Sequence, residues 1–372
     1  MVTKIVKIGG FSHIRPVQIG GNFPVVIQTM WKDRLSYEDL KGDTLIKRID
    51  TLALLGCELL RFAVPDVQSA EILGSLAEMT SMPLAADIHF DHKIALRCMD
   101  FPVSKLRINP GNIGSREKVA AVLEKAAEKN IPIRIGVNAG SLPQDLRASV
   151  EEGMETAEAL VLSAERELSV FKEIGFKNVL VSMKASGIAD TIKANRILAQ
   201  RTDAPLHLGV TEAGPLTAGI AANTAALCTL LSEGIGDTIR VSLSDTVESE
   251  VTAAREIVRA ACQVAALKLT SGSERLNRAG VKIVSCPRCG RHGFDTLGFT
   301  DRWMPKLYAM DKDITVAVMG CEVNGPVEAK HADLGITGTG DKVLLFKHGK
   351  VIRTITAAEA DAAFEEELNK LQ

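Results

Sequence analysis

Three cysteines and a carboxylate in the last quarter of the chain have the types and spacing of a metal centre. Cys286 and Cys289 sit in Ser285-Cys-Pro-Arg-Cys-Gly290, Cys321 in Met319-Gly-Cys-Glu-Val-Asn-Gly-Pro326, and Glu328 lies just beyond. A Cys-x-x-Cys turn can aim two sulfurs at one point, and Cys321 follows the apolar run 314–319. Alone, Cys-x-x-Cys is shared by zinc ribbons, redox dithiols and iron–sulfur proteins. A structural zinc site usually closes with four Cys or His ligands. Here the fourth thiol is missing, His292 crowds the turn, and His331 lies ten residues past Cys321. A redox dithiol has no need of Cys321. Three thiolates and one oxygen ligand also suit a [4Fe–4S] cluster with one differentiated iron, whose harder ligand a substrate can displace. Cys57, Cys98, Cys228 and Cys262 are scattered among Leu and Ala and read as small buried hydrophobes.

A second set of residues points to an anion. Arg61, Arg107, Arg134 and Arg240 each interrupt an apolar, strand-like run. Parallel strands covered on both faces would desolvate such a side chain badly unless it reached the open carboxyl end of a barrel. Strand alternation puts His89 with Asp87, Asn109 with Arg107, Asn138 with Arg134 and Ser242 with Arg240. Lys184 and Glu212 fall near the ends of the sixth and seventh strands. Five cations around Asp87 and Glu212 call for an anionic ligand, and guanidinium forks match phosphate oxygens. Glu212, in Gly209-Val-Thr-Glu-Ala-Gly214, is the best candidate for proton transfer.

The elements that must position these residues alternate in type. Strand-like runs occur at 25–30, 58–64, 84–90, 104–109, 133–138, 178–185, 206–212 and 238–244, each followed by a helix-compatible segment. Eight such units predict a (β/α)8 TIM barrel over 1–267. A doubly wound sheet is the alternative, but no Gly-x-Gly-x-x-Gly follows the first strand. The polar stretch 268–280 reads as a linker. Beyond it, strands at 281–285, 314–319, 334–337, 343–346 and 351–355, with helices at 295–310 and 357–371, predict a small α+β domain over 281–372 that carries all three clustered cysteines.

Bulk properties exclude several functions. A net charge of −2 gives no reason to expect nucleic acid or an anionic membrane as partner. No run approaches the ~18 apolar residues of a membrane span. The first residues lack the apolar core of a secretory signal. Seven cysteines, an odd count in a long chain, argue for a reducing cytoplasm.

The sequence resembles the (E)-4-hydroxy-3-methylbut-2-enyl diphosphate synthase family of non-mevalonate isoprenoid synthesis. The motifs that carry this are Ala86-Asp-Ile-His-Phe90, Leu106-Arg-Ile-Asn-Pro-Gly-Asn-Ile-Gly114, Ile131-Pro-Ile-Arg-Ile-Gly-Val-Asn-Ala-Gly-Ser141 and Leu206-His-Leu-Gly-Val-Thr-Glu-Ala-Gly214. To these are added Leu231–Ser242, the Cys286–Cys289 turn and Gly320–Pro326 with Glu328. The resemblance implies a barrel followed by an iron–sulfur domain like that of sulfite and nitrite reductases, with a [4Fe–4S] cluster on Cys286, Cys289, Cys321 and Glu328. It implies reductive ring opening and dehydroxylation of 2-C-methyl-D-erythritol 2,4-cyclodiphosphate. Arg61, His89, Arg107, Arg134, Asn138, Lys184, Arg240, Ser242 and Asn324 would bind the substrate, one of whose oxygens would replace Glu328 on iron, while Glu212 would organise protons. It further implies flavodoxin or ferredoxin as electron donor and a head-to-tail homodimer, the barrel of one chain meeting the cluster domain of the other.

Two positions depart from the family pattern. Gln28-Thr-Met-Trp-Lys-Asp-Arg34 stands where Thr and Asn are usual, and Val327 where Gly is common, which restricts the backbone before Glu328. The rival enzyme reading is a pterin- or phosphosugar-binding barrel with a structural zinc domain. A metal-stabilised interaction module is the non-enzymatic rival, which the cation ring opposes.

Overall fold

The computed structural model describes residues 2–268, 273–276, 280–287, 289–321, 325–338 and 342–371. The chain divides into two compact units, Met1–Arg278 and Ala279–Gln372. The first begins with an antiparallel hairpin, β1 (Val6–Ile8) and β2 (Val17–Ile19), followed by β3 (Val26–Met30), β4 (Leu59–Ala63), β5 (Leu84–Asp87), β6 (Lys105–Ile108), β7 (Ile133–Asn138), β8 (Val179–Lys184), β9 (His207–Leu208) and β10 (Thr238–Ile239). The last eight form one parallel sheet in the order β8-β7-β6-β5-β4-β3-β10-β9. A parallel bridge from Val181 to Leu206 returns β9 to β8, so the sheet is a nearly closed TIM barrel.

The strands lie where the apolar runs predicted them, with β9 and β10 much shorter than expected. Past them Arg240 N–H still bonds the Leu208 carbonyl at 3.0 Å, but other backbone donors turn to side chains. Val210 N–H donates to the Asn223 side chain at 3.3 Å, and Leu243 N–H to the Glu250 carboxylate at 3.0 Å. That release lets the chain bend at the barrel mouth. The β1–β2 hairpin escaped the sequence reading because its strands are three residues each. Its Val6, Ile8, Val17 and Ile19 pack with Val26, Leu59, Ala85 and Leu180 from the starts of four barrel strands. Ile8 and Ile19 are fully buried, each contributing roughly 1.5–3 kcal/mol. The amino-terminal end of the barrel is thereby plugged.

Within the segment read as a linker, Ser273–Leu276 is a turn packed on the barrel. Arg275 reaches the buried Asp237 at 2.5 Å, and Leu276 is itself buried.

The second unit is a five-stranded sheet ordered β11 (Lys282–Ser285), β12 (Thr315–Val318), β13 (Leu334–Gly338), β14 (Val343–Lys347), β15 (Lys350–Ile355). The first three strands are parallel and the last two antiparallel. Two amphipathic helices, Thr296–Tyr308 and Ala360–Asn369, supply Phe299, Trp303, Leu307 and Phe364 to a core with Val316, Val318, Leu334 and Ile336. Trp303 keeps its indole N–H satisfied by Asp361 at 2.6 Å. A second, smaller cluster holds Ala317, Met319, Ala329, Ala332 and Phe346, with Cys286 packed against it.

Candidate functional site

Alternation along β4 to β8 brings Arg61, Asp87, Arg107, Arg134, Asn138 and Lys184 to one face. Register sets them side by side: Asp87 pairs with Arg107, Arg107 with Arg134, and Asn138 with Lys184. A cavity of about 140 Å³ is lined by Arg61, Asp87, His89, Arg107, Arg134, Asn138, Lys184, Thr211, Arg240 and Ser242. Eight of the sequence-derived site residues therefore share one cavity. Glu212 does not line it; it is exposed, adjoins Thr211, and holds a left-handed backbone at φ 53°. For a non-glycine residue that conformation is uncommon. Asn324 lies outside the described residues.

The charges are unevenly balanced. Asp87 takes Nη1 of Arg107 at 3.1 Å and stands 3.6 Å from Nε of Arg61. Burial pushes its carboxyl up, but Arg61, the His89 hydrogen bond, Arg107 and Arg134 outweigh that and hold it well below the usual carboxylate range. Arg240 has a different partner, Glu250, at 3.2 Å. Arg134, 2% exposed, donates through Nη1 to the hydroxyl of Ser182, not to a carboxylate. Burial lowers its guanidinium well below its ordinary value, and Arg61 and Arg107 add to that. Guanidinium nevertheless stays charged in proteins. Burial brings Arg61 down to about 10. Lys184 is pulled well below the usual lysine range by burial and then by Arg240 and Arg134.

Unmet donors point the same way. The Nε atoms of Arg61, Arg107, Arg134 and Arg240 are each buried without a hydrogen-bond partner. A buried unsatisfied donor costs about 1–3 kcal/mol, more when charged. An anion accepting from several of these groups would remove that cost.

Sequence reasoning missed several contributors. Glu250 falls in the helix-compatible segment after the eighth strand-like run and belongs to none of the motifs, and only folding shows it buried against Arg240. Lys105 and His207 lie deeper in the barrel, Lys105 donating to Gln28 Oε1 at 2.5 Å. Burial, then Arg134 and Lys184, keep the His207 imidazole well below its usual titration range. Two glycines make room. A Cβ at Gly136 would stand 2.4 Å from Nε of Arg107, and one at Gly209 2.8 Å from Nζ of Lys184 and 2.5 Å from the Arg240 carbonyl. Lys32, in the stretch that departs from the family pattern, donates to the Leu243 carbonyl at 2.6 Å and stands 3.2 Å from Glu250.

The cysteine site is built at one end of the second sheet. Cys286 and Cys321 follow β11 and β12, neighbouring parallel strands in which Ser285 pairs with Val318. Cys286 N–H donates to Val318 O at 3.0 Å, and Gly293 N–H folds the Cys-x-x-Cys turn back onto Gly320 O at 2.7 Å. A Cβ at Gly320 would stand 3.6 Å from Cys286 Sγ. Gly325 lies against Thr337 at the same end of β13 and opens the short helix Gly325–Glu328. Cys321 is buried, Cys286 half-buried, Cys289 exposed. Nδ1 of His292 is engaged with the Cys289 carbonyl at 2.7 Å. Among the described residues, no group of three or more His, Cys, Asp or Glu is gathered closely enough to hold a metal ion. The donor set nonetheless suits a thiolate-held group, since all three cysteines leave the carboxyl ends of adjacent strands.

The family model described as the GcpE TIM-barrel domain matches residues 10–255, and that of the GcpE protein C-terminal domain matches 282–370. The chain is 51% identical to a Treponema pallidum protein named 4-hydroxy-3-methylbut-2-en-1-yl diphosphate synthase (flavodoxin), over 98% of this chain and 91% of that one. Relatives of the same name from Treponema denticola and Geobacter sulfurreducens are 47% and 40% identical, each over 99% of this chain and 98% of theirs. A solved dihydropteroate synthase from Yersinia pestis is 13% identical, with a TM-score of 0.47 over 72% of this chain and 99% of that one. No helix among the described residues is long and apolar enough to cross a membrane.

Proposed function

This chain belongs to the GcpE family, and from that premise we propose that it is an oxidoreductase of isoprenoid synthesis that converts 2-C-methyl-D-erythritol 2,4-cyclodiphosphate to (E)-4-hydroxy-3-methylbut-2-enyl diphosphate. The reaction takes two electrons, opens the ring at a carbon–oxygen bond to phosphate, and loses a hydroxyl as water. The observation that carries this reading is the single cavity lined by Arg61, Arg107, Arg134, Lys184 and Arg240, with Asp87 its one lining carboxylate.

The cations bind and orient the diphosphate. Arg134 and Lys184, which have no carboxylate at ion-pair distance among the described residues, take the strongest share of its charge. Asn138, Ser242 and His89 supply further hydrogen bonds around it. Burial of the guanidiniums strengthens each contact, because the low-dielectric interior screens them poorly. The Glu212 carboxylate, at the edge of the loop that also carries Thr211, holds or delivers a proton to the leaving hydroxyl.

A [4Fe–4S] cluster on Cys286, Cys289, Cys321 and Glu328 would supply one-electron transfers and a Lewis-acidic iron when bound. Asn324 would stand beside it, and the domain would be akin to the cluster domain of sulfite and nitrite reductases. Flavodoxin as donor is supported by the relatives' names, ferredoxin being the other carrier of the same chemistry. A head-to-tail homodimer would let the barrel of one chain meet the cluster domain of the other.

The test is anaerobic purification, iron, sulfide and zinc analysis, and turnover of the cyclic diphosphate with dithionite and a viologen mediator. About four irons per chain and turnover are expected, with Arg134→Ala weakening substrate binding at least tenfold. Stoichiometric zinc without sulfide and without turnover would instead favour the barrel enzyme with a structural zinc domain.

A further inference from the structure

Glu250 touches the anion cavity without lining it. It sits in the first turn of the helix Val247–Lys268 and is 1% exposed. Its Oε1 accepts from Nη2 of Arg240 at 3.2 Å and from Leu243 N–H at 3.0 Å, and stands 3.2 Å from Nζ of Lys32. Its Oε2 accepts from the Thr29 hydroxyl at 2.7 Å and from Nη2 of Arg240 at 3.4 Å. One carboxylate thus joins β3, the loop after it, the end of β10 and the loop beyond.

Resting on the reading of the cavity as the diphosphate site, we propose that Glu250 is the positioning residue for Arg240, fixing the direction in which its guanidinium meets the substrate. Asp87 holds Arg61 and Arg107 from inside the cavity. Glu250, which does not line the cavity, holds Arg240 through Nη2, while Nε of the same guanidinium has no partner and stays available to a bound anion. Removing the carboxylate has two opposed effects. It makes the cavity more cationic, which favours an anion, and it frees a long side chain that must then be ordered on binding. The second effect wins, since Arg61, Arg107, Arg134 and Lys184 already exceed the cavity's own negative charge and one further charge adds little.

The experiment is a double-mutant cycle on the anaerobically purified full chain, with the cyclic diphosphate as titrant in calorimetry and as substrate in turnover. Glu250→Gln is expected to raise Kd and KM about tenfold while kcat stays within about twofold. Thr29→Val, which removes only the hydroxyl that orders Oε2 and keeps the charge, is expected to raise Kd two- to threefold. In an Arg240→Ala background, Glu250→Gln is expected to add nothing. Unchanged or tighter binding by Glu250→Gln overturns the proposal, as does a full additional effect in the Arg240→Ala background. If Arg240→Ala itself binds like wild type, the reading of the cavity fails. If Arg240→Ala is weak and Glu250→Gln is not, only the positioning role fails. Circular-dichroism melts check that each variant folds, and Thr29→Val retains the test if Glu250→Gln does not.

Discussion

Adding one methyl group at Gly136 should disable the anion site without touching a charged residue. Gly136 lies on β7 between Arg134 and Asn138, and a Cβ there would stand 2.4, 2.7 and 2.9 Å from Nε, Nη2 and Cζ of Arg107. Ordinary contact begins at 3.4 Å, so the guanidinium must retreat by about 1 Å. It has little freedom to do so, being 6% exposed and held by Asp87 at 3.1 Å and the Gly136 carbonyl at 3.4 Å. Losing one charge-assisted hydrogen bond is worth about 1.5–3 kcal/mol, which is roughly ten- to a hundredfold in affinity. The backbone of Gly136 is not in the left-handed region, so alanine brings no conformational penalty of its own. Gly136→Ala is therefore expected to raise Kd for the cyclic diphosphate ten- to a hundredfold, read by calorimetry. The circular-dichroism spectrum should stay native, with a lowered melting temperature. A native fold with Kd within twofold of wild type would refute the argument that Arg107 is held in place by the missing Cβ.

Cys321→Ser should lose bound iron and reductive turnover while the barrel still binds the cyclic diphosphate, since Cys321 lies in the other compact unit; retained iron with full turnover would remove it from the ligand set. Asp87 gives a pH test. Its folded value is depressed by Arg61, His89 and Arg107, so its stabilisation is present above the ordinary value of 3.8 and is lost as pH falls below that toward the folded value. Asp87→Asn should cost about 3 kcal/mol at pH 7, because two buried guanidiniums lose their partner. That gap, measured by denaturant melts, should hold from pH 7 to 5 and narrow below 4; a gap that widens on acidification contradicts the assignment.

Much of this architecture was legible because parallel barrel strands must be apolar on both faces, so an arginine inside one announces an opening. Arg61, Arg107, Arg134 and Arg240 could be placed on one face from strand alternation alone, and the Cys-x-x-Cys turn is local. The hairpin at the barrel floor was not legible, since three-residue strands carry too little periodicity to read. Nor was the shortness of β9 and β10, past which Asn223 and Glu250, from the helix that follows each strand, take backbone donors by side-chain contacts that strand periodicity does not encode.

The sequence by itself determined the eight-unit rhythm, the cationic residues, the thiols and, through long motifs, the family. Only the tertiary structure decided which acid serves which arginine, why Gly136 and Gly209 have no side chains, and that Glu212 stands exposed beside the cavity. Strand alternation and turn geometry are local properties of a chain, whereas charge pairing and steric room are set by groups on different elements that only folding brings together, such as Arg61 with Asp87 and Gly136 with Arg107.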